Sequence, residues 1–141
     1  MNHIVIDSNV FVAALMSRRG ASFRLLQLVG TDRFEISLSV PLVLEYEDAA
    51  RRWLGTKIVL SEQDLDDVID YLCSVALRYQ VYYLWRPTLP DPRDDMVLEL
   101  AAGASCSFIV TYNLRDFSGA ERFGIEAVTP RTFLEHIGEI P

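Results

Sequence analysis

The acidic side chains of this chain fall where a parallel sheet would gather them. Asp7 ends the apolar run HIVI, and Glu45 interrupts VPLVLEY. Asp91, Asp94 and Asp95 lie together in DPRDD, and Asp116 follows the run FIV by way of Thr111 and Asn113. A charge at the end of a buried strand is costly unless something pairs with it. Several carboxylates around one point also repel each other. Hard divalent cations such as Mg²⁺ or Mn²⁺ relieve both problems, because they prefer oxygen donors and keep water and phosphate in their shells. The chemistry of such a site is phosphoryl transfer with activated water. Residue type and spacing go no further, and leave a nuclease and a phosphatase unseparated.

The rest of the composition narrows the field. The chain has 141 residues, half of them hydrophobic and 23% charged. That is a globular composition at the length of one domain, so one domain over residues 1–141 is expected. No apolar run approaches the roughly 18–20 residues of a membrane span, and the N-terminus does not resemble a signal peptide, so a cytoplasmic location is expected. The histidines, His3 and His136, are near the two ends and cannot build a His-rich metal site. Cys73 and Cys106 form no CxxC, zinc or disulfide pattern and read as small buried hydrophobes. A net charge of −7 argues against holding nucleic acid by overall field. Of the 13 cations only Lys57 is a lysine. Arginine's planar fork suits phosphate, although genome composition explains such a preference equally well.

The elements that must position these acids follow from periodicity and capping. His3–Ile6 reads as a buried strand and Val10–Met16 as a helix. Ser22–Val29 reads as a second helix with Ser22 as its cap. Phe34–Leu38 reads as a strand, and Ser39 caps a helix over Pro41–Trp53, with proline where a first turn tolerates it. SEQD is a capping signature for a long helix from Ser61 to about Tyr79, whose acidic first turns suit the helix dipole. Val81–Leu84 reads as a strand, followed by the irregular loop RPTLPDPRDD. Asp95–Ala102 reads as a helix with Met96, Val97, Leu100 and Ala101 inward. Phe108–Thr111 and Ile125–Val128 are strands, and Thr129 caps a last helix over Pro130–Ile137. Short strands separated by helices imply parallel pairing, with ligands bound outside the carboxyl ends of the strands.

Four stretches in order resemble the PIN-domain family. IVIDSNVFVAAL is similar to its opening strand and first aspartate, and SVPLVLEYEDAARRW to its second block, with Glu45 as the acid. DPRDDMVLELAAGASCSFIVTYNLRDF resembles the third and fourth blocks run together, and GIEAVTPRTFLEH the closing strand and helix. Each motif is weak alone, but together they cover essentially the whole chain.

The resemblance implies a three-layer α/β/α fold around a mostly parallel sheet. It also implies a Mg²⁺- or Mn²⁺-dependent endoribonuclease, the toxin of a toxin–antitoxin pair. In that reading Asp7 is the first metal ligand, Glu45 the second acid and Asp94 the third, with Asp95 competing for the place and Asp91 a turn residue before Pro92. Many members carry an aspartate where Asn113 stands here, so Asp116 either takes over the fourth acid's role or that acid is absent. Ser8, Asn9, Thr111 and Asn113 would orient carboxylates or touch phosphate. The implied partners are an RNA substrate, a cognate antitoxin and a second copy of the chain, with Phe23, Leu26 and Tyr82 as apolar candidates for a surface.

Plainer readings stand beside these. Asp7 also reads as a helix cap, Glu45 as part of an acidic helix face with Glu47 and Asp48, and Asp116 as a turn cap. Glu99 reads as salt-bridged or solvent-facing. Arg18, Arg19, Arg51, Arg52 and Arg115 suit surface ion pairs as well as phosphate, and Trp53 and Trp85 read as packing anchors sooner than as base-stacking platforms. The alternative to an enzyme is a PIN-fold binding module that acts through a protein partner, and Asn113 is the feature that favours it. A receiver-type phosphate site would need a lysine near a later strand, and Lys57 fits that poorly.

Overall fold

The computed structural model describes residues 1–80 and 91–141. Its elements are β1 (Asn2–Ile6), α1 (Ser8–Met16), α2 (Ala21–Leu28), β2 (Phe34–Leu38), α3 (Val40–Arg51), α4 (Glu62–Val75) and β3 (Leu77–Arg78). After the segment 81–90 come α5 (Pro92–Gly103), β4 (Phe108–Val110), β5 (Glu126–Val128) and α6 (Pro130–His136), with 3-10 turns at Leu114–Phe117 and Ala120–Phe123. The strands form one parallel sheet in the order β3-β2-β1-β4-β5, flanked by helices as the three-layer reading requires.

β1 is central because its residues suit burial on both faces. Ile4 and Val5 are wholly buried and Ile6 nearly so, without the alternation of a half-exposed strand. The chain leaves β1 for β2 on one side and later reaches β4 on the other, so the sheet reverses direction beside β1. A crevice opens at the carboxyl ends of strands at such a reversal. Residues from α1, α3, α5 and the first 3-10 turn line it.

Local chemistry explains the element boundaries. Ser39 and Thr129 cap α3 and α6 through their side chains, and Ser61 with Asp64 closes a full capping box on α4. Three expectations need correction. Ser22 does not cap α2; Gly20 occupies that position, and Ser22 is buried with its hydroxyl 2.5 Å from the Tyr112 hydroxyl. α4 stops at Val75 rather than near Tyr79, because Leu77–Arg78 pairs with Ser37–Leu38 and Tyr79 N donates to Leu38 O at 2.8 Å. α5 begins at Pro92, three residues earlier than its periodicity indicates, because Asp91 caps it through a 2.9 Å bond from Arg93 N. Proline at the first position is pre-set for that geometry, so it opens the helix instead of excluding it. The strand expected at Val81–Leu84, together with Tyr82 and Trp85, lies outside the described residues.

Among the described residues no helix is long and apolar enough to cross a membrane. Cys106 is buried and Cys73 half-buried, and neither forms a disulfide.

Candidate active site

Sheet register brings the first two residues of the site together. Ile6 pairs with Val110, so Asp7 and Thr111, each one residue further on, emerge side by side at the carboxyl edge. Asp7 N donates to Val110 O at 2.9 Å, and Thr111 N to Val128 O at 2.8 Å, so both backbones stay anchored as the strands end. Asp7 then caps α1, its Oδ1 accepting from Ser8 N at 2.8 Å. Its Oδ2 accepts from the Thr111 hydroxyl at 2.8 Å and the Asn9 amide at 3.3 Å. Thr111, fully buried, also takes bonds from Asn9 Nδ2 and Asn113 N. Asn9 Oδ1 in turn accepts from Tyr112 N at 3.2 Å. The cap and the buried acid are therefore one residue in two connections. A carboxylate offers about four lone-pair sites, so these three bonds leave about one for a further partner.

The second acid comes from α3. Tyr46 is wholly buried, stacks on Phe11 with ring centroids 4.6 Å apart, and its hydroxyl donates to the Ile6 carbonyl, just before Asp7. Desolvation by burial, and then the Asp7 charge, hold that phenol well above its ordinary range, so it stays a donor. Anchoring Tyr46 there fixes the turn of helix that carries Glu45 to the cleft, where Glu45's side chain is 18% exposed. The Asp91 cap places Asp94 in the first turn of α5, and the 3-10 turn after Asn113 carries Asp116 to the same opening.

Electrostatics tie the four acids to one another. Asp7 is 7% exposed, and desolvation raises its carboxyl above the ordinary range. The Thr111 and Ser8 bonds oppose that rise, while the charges of Glu45 and Asp116 add to it. Asp94 is pushed up to about 7, by desolvation first and then by Asp116, Asp7 and Asp91, with Arg93 acting the other way. Arg93 lies over the cleft, 3.9 Å from Glu45 and 3.6 Å from Asp91.

The donor set fits a hard divalent cation. It consists of carboxylate and amide oxygens, and two of its acids are costly to ionise without a counter-charge. Among the described residues no three acidic, histidine or cysteine side chains are gathered tightly enough to hold one ion as they stand. The acids share a cleft of about 410 Å³ and a common field rather than a finished coordination sphere.

Of the acids singled out in the sequence, Asp7, Glu45, Asp94 and Asp116 line this cleft, as do Ser8, Asn9 and Asn113. Thr111 reaches it through Asp7. Asp95, one residue around the helix from Asp94, is not among the residues that line it. Asp91, read as a turn residue, is the cap of α5 and lies on the rim. Two residues at the rim stand differently from the sequence expectation, which gives Arg93 no site role and reads Trp53 as a packing anchor sooner than a stacking platform. Arg93 becomes visible only once Pro92 is seen to open a helix, and Trp53, 38% exposed, faces the cleft instead of packing in the core.

A sequence model described as the PIN domain matches residues 3–115. No curated protein matches the chain. Among solved structures, one chain of VapBC2 from Rickettsia felis, crystallised bound to a DNA fragment from their promoter, superposes with a TM-score of 0.59 at 12% identity. The match covers 90% of this chain and 98% of that one. A domain of a functionally unknown protein from Methanocaldococcus jannaschii superposes with a TM-score of 0.53 at 19% identity, covering 92% and 91% of the two chains.

Proposed function

We propose, from the premise that this chain belongs to the PIN-domain family, that it is a metal-dependent endoribonuclease and the toxin of a toxin–antitoxin pair. PIN domains are generally nucleases that use divalent ions. The observation that carries the reading is the gathering of buried Asp7 with Glu45, Asp94 and Asp116 around one cleft, where desolvation and neighbouring charge raise the carboxyls of Asp7 and Asp94.

In this reading Asp7 and Asp94 hold Mg²⁺ or Mn²⁺, with Asp95 the alternative to Asp94 and with Glu45 and Asp116 completing the acidic set. A bound ion of this kind activates water and neutralises charge developing on phosphate. The chain's own part is positional. Thr111, Asn9 and the Ser8 amide fix the orientation of Asp7 and leave about one of its lone-pair sites for a further partner. Tyr46 holds α3 against the end of β1, so Glu45 and Asp7 keep a constant separation. Asp94 must lose the proton it holds near pH 7 before it can act as a ligand. No side-chain nucleophile is needed.

The partner in this reading is an antitoxin whose basic segment lies in the acidic cleft, which the net charge of −7 would favour. The likeness to a chain of VapBC2 supports a protein partner. A homodimer and a cytoplasmic location belong to the same proposal.

Cleavage of bulk and structured RNA by the purified chain in Mn²⁺, Mg²⁺ or EDTA, beside Asp7→Asn, tests the reading. Metal-dependent cleavage that the substitution removes is the expected result. The second reading, a binding module without catalysis, is favoured by Asn113, whose amide coordinates without adding charge. Equal inertness of both chains, with no Mn²⁺ heat in calorimetry, would select it.

A further inference from the structure

We propose that the Trp53 end of the acidic cleft is a stacking subsite for one unpaired nucleotide of the RNA, with Arg52 and Arg93 meeting its phosphates. The inference rests on the nuclease reading for the identity of the ligand.

Trp53 is a large aromatic left outside the core, yet it stands on a rigid support. Its carbonyl accepts from Thr56 N at 3.1 Å, from the Thr56 hydroxyl at 3.0 Å and from Ile58 N at 3.0 Å. Its own N–H donates to Ala50 O at 3.0 Å. Gly55 turns the loop at φ +81° and donates to Ile58 O, and Ile58 is wholly buried beneath it. A loop pinned this firmly fixes the backbone from which the indole projects, which reduces the chain entropy lost on binding.

The charges around the ring point to the ligand. Arg52, Arg93 and the indole line the same cleft as the carboxylates, and Arg93 reaches across to Glu45 and Asp91. The Lys57 ammonium lies over the indole, 4.9 Å from its centroid, so it covers one face of the ring and a base would take the other. Arg52 makes an exposed pair with Asp48, and Arg93 contacts of 3.6 and 3.9 Å with Asp91 and Glu45, so both can exchange a carboxylate for a phosphate at small cost. An aromatic face flanked by cations takes a nucleobase and its backbone. A base paired within a duplex has no free face to stack, so the substrate is single-stranded RNA or an unpaired loop.

The test is fluorescence anisotropy of a short fluorescein-labelled single-stranded RNA in EDTA, where no turnover occurs, beside the same RNA annealed to its complement. Trp53→Ala should weaken single-strand binding about tenfold, Trp53→Phe should keep most of it, and the duplex should bind weakly and be insensitive to either change. Thermal melting checks that both variants stay folded. In Mn²⁺, Trp53→Ala should raise KM more than it lowers kcat. Unchanged binding by Trp53→Ala, or equal losses by Trp53→Ala and Trp53→Phe, overturns the subsite and leaves Trp53 as an anchor for a protein partner. If Trp53-dependent binding holds while the wild type cleaves nothing in Mn²⁺, the subsite stands and the nuclease reading fails. Metal-dependent cleavage with a KM indifferent to Trp53 means the reverse: the nuclease reading stands and the subsite fails.

Discussion

Replacing Asp94 by asparagine should stabilise the metal-free protein at alkaline pH while removing its response to metal. Asp94 moves from an ordinary 3.8 to about 7 on folding, so the folded chain holds its proton more tightly than the unfolded chain does. Stability from that proton is fully present below the unfolded value and is lost as pH rises through about 7. Taken at face value the displacement corresponds to about 4 kcal/mol. The side chain is open to water on one side, and screening reduces a usable figure to about 1–2 kcal/mol. Asparagine keeps nearly the shape of the protonated acid and has no charge to lose.

Thermal unfolding in EDTA at pH 5 and pH 8 reads this directly. The Asp94→Asn chain should melt roughly 3–6 °C above wild type at pH 8 and close to it at pH 5. The other acids are present in both chains, so the difference between the chains reports Asp94 together with its coupling to Asp7 and Asp116. Adding Mn²⁺ at pH 8 should raise the wild-type melting point and barely move the variant's, because the ion takes the proton's place only where a carboxylate remains. A variant no more stable than wild type at pH 8, or a difference that does not change with pH, would refute the view that Asp94 sits in the repulsive field of Asp7 and Asp116.

Three further outcomes follow from the same geometry. Thr111→Val keeps the buried shape but removes the donor to Asp7 Oδ2, so Mn²⁺ affinity by calorimetry should fall about 10–100-fold. Tyr46→Phe removes the bond to the Ile6 carbonyl and should cost about 1–2 kcal/mol in urea unfolding, with a matching loss of any cleavage that depends on Glu45. Asn113→Asp adds a charge at the cleft; it should tighten Mn²⁺ binding in calorimetry and lower the melting point in EDTA at pH 8.

Much of the fold was legible because local signals and tertiary demands agreed. β2 is found over the residues its apolar run indicated, and the caps at Ser39, Ser61 and Thr129 act as their spacing implied. The misreadings fall where a longer-range contact overrode a local one. Ala76 and Tyr79 continue the apolar period of α4, but pairing of Leu77–Arg78 with β2 ends the helix first. Ser22 has the residue type of a cap, yet its hydroxyl meets Tyr112, ninety positions away in sequence. The prolines of RPTLPDPRDD suggested irregular chain throughout, whereas Pro92 with Asp91 before it starts a helix.

The site shows the same division between residue type and placement. That Asp7 needs a partner was readable from a charge at the end of a buried strand. Which groups answer it was not, because the Asp7–Thr111 bond depends on the register between β1 and β4. The choice between Asp94 and Asp95 likewise turns on where α5 begins: starting the helix at Pro92 carries Asp94 to the cleft and leaves Asp95 off its lining. The cationic rim was the least legible part, since Arg52, Trp53 and Arg93 have no motif in common and meet only when α3 and α5 fold against each other. That rim answers the difficulty posed by a net charge of −7. In the proposed function an acidic protein needs local rather than overall attraction for a polyanion, and Arg52, Arg93 and Lys57 around Trp53 are the cations placed to supply it.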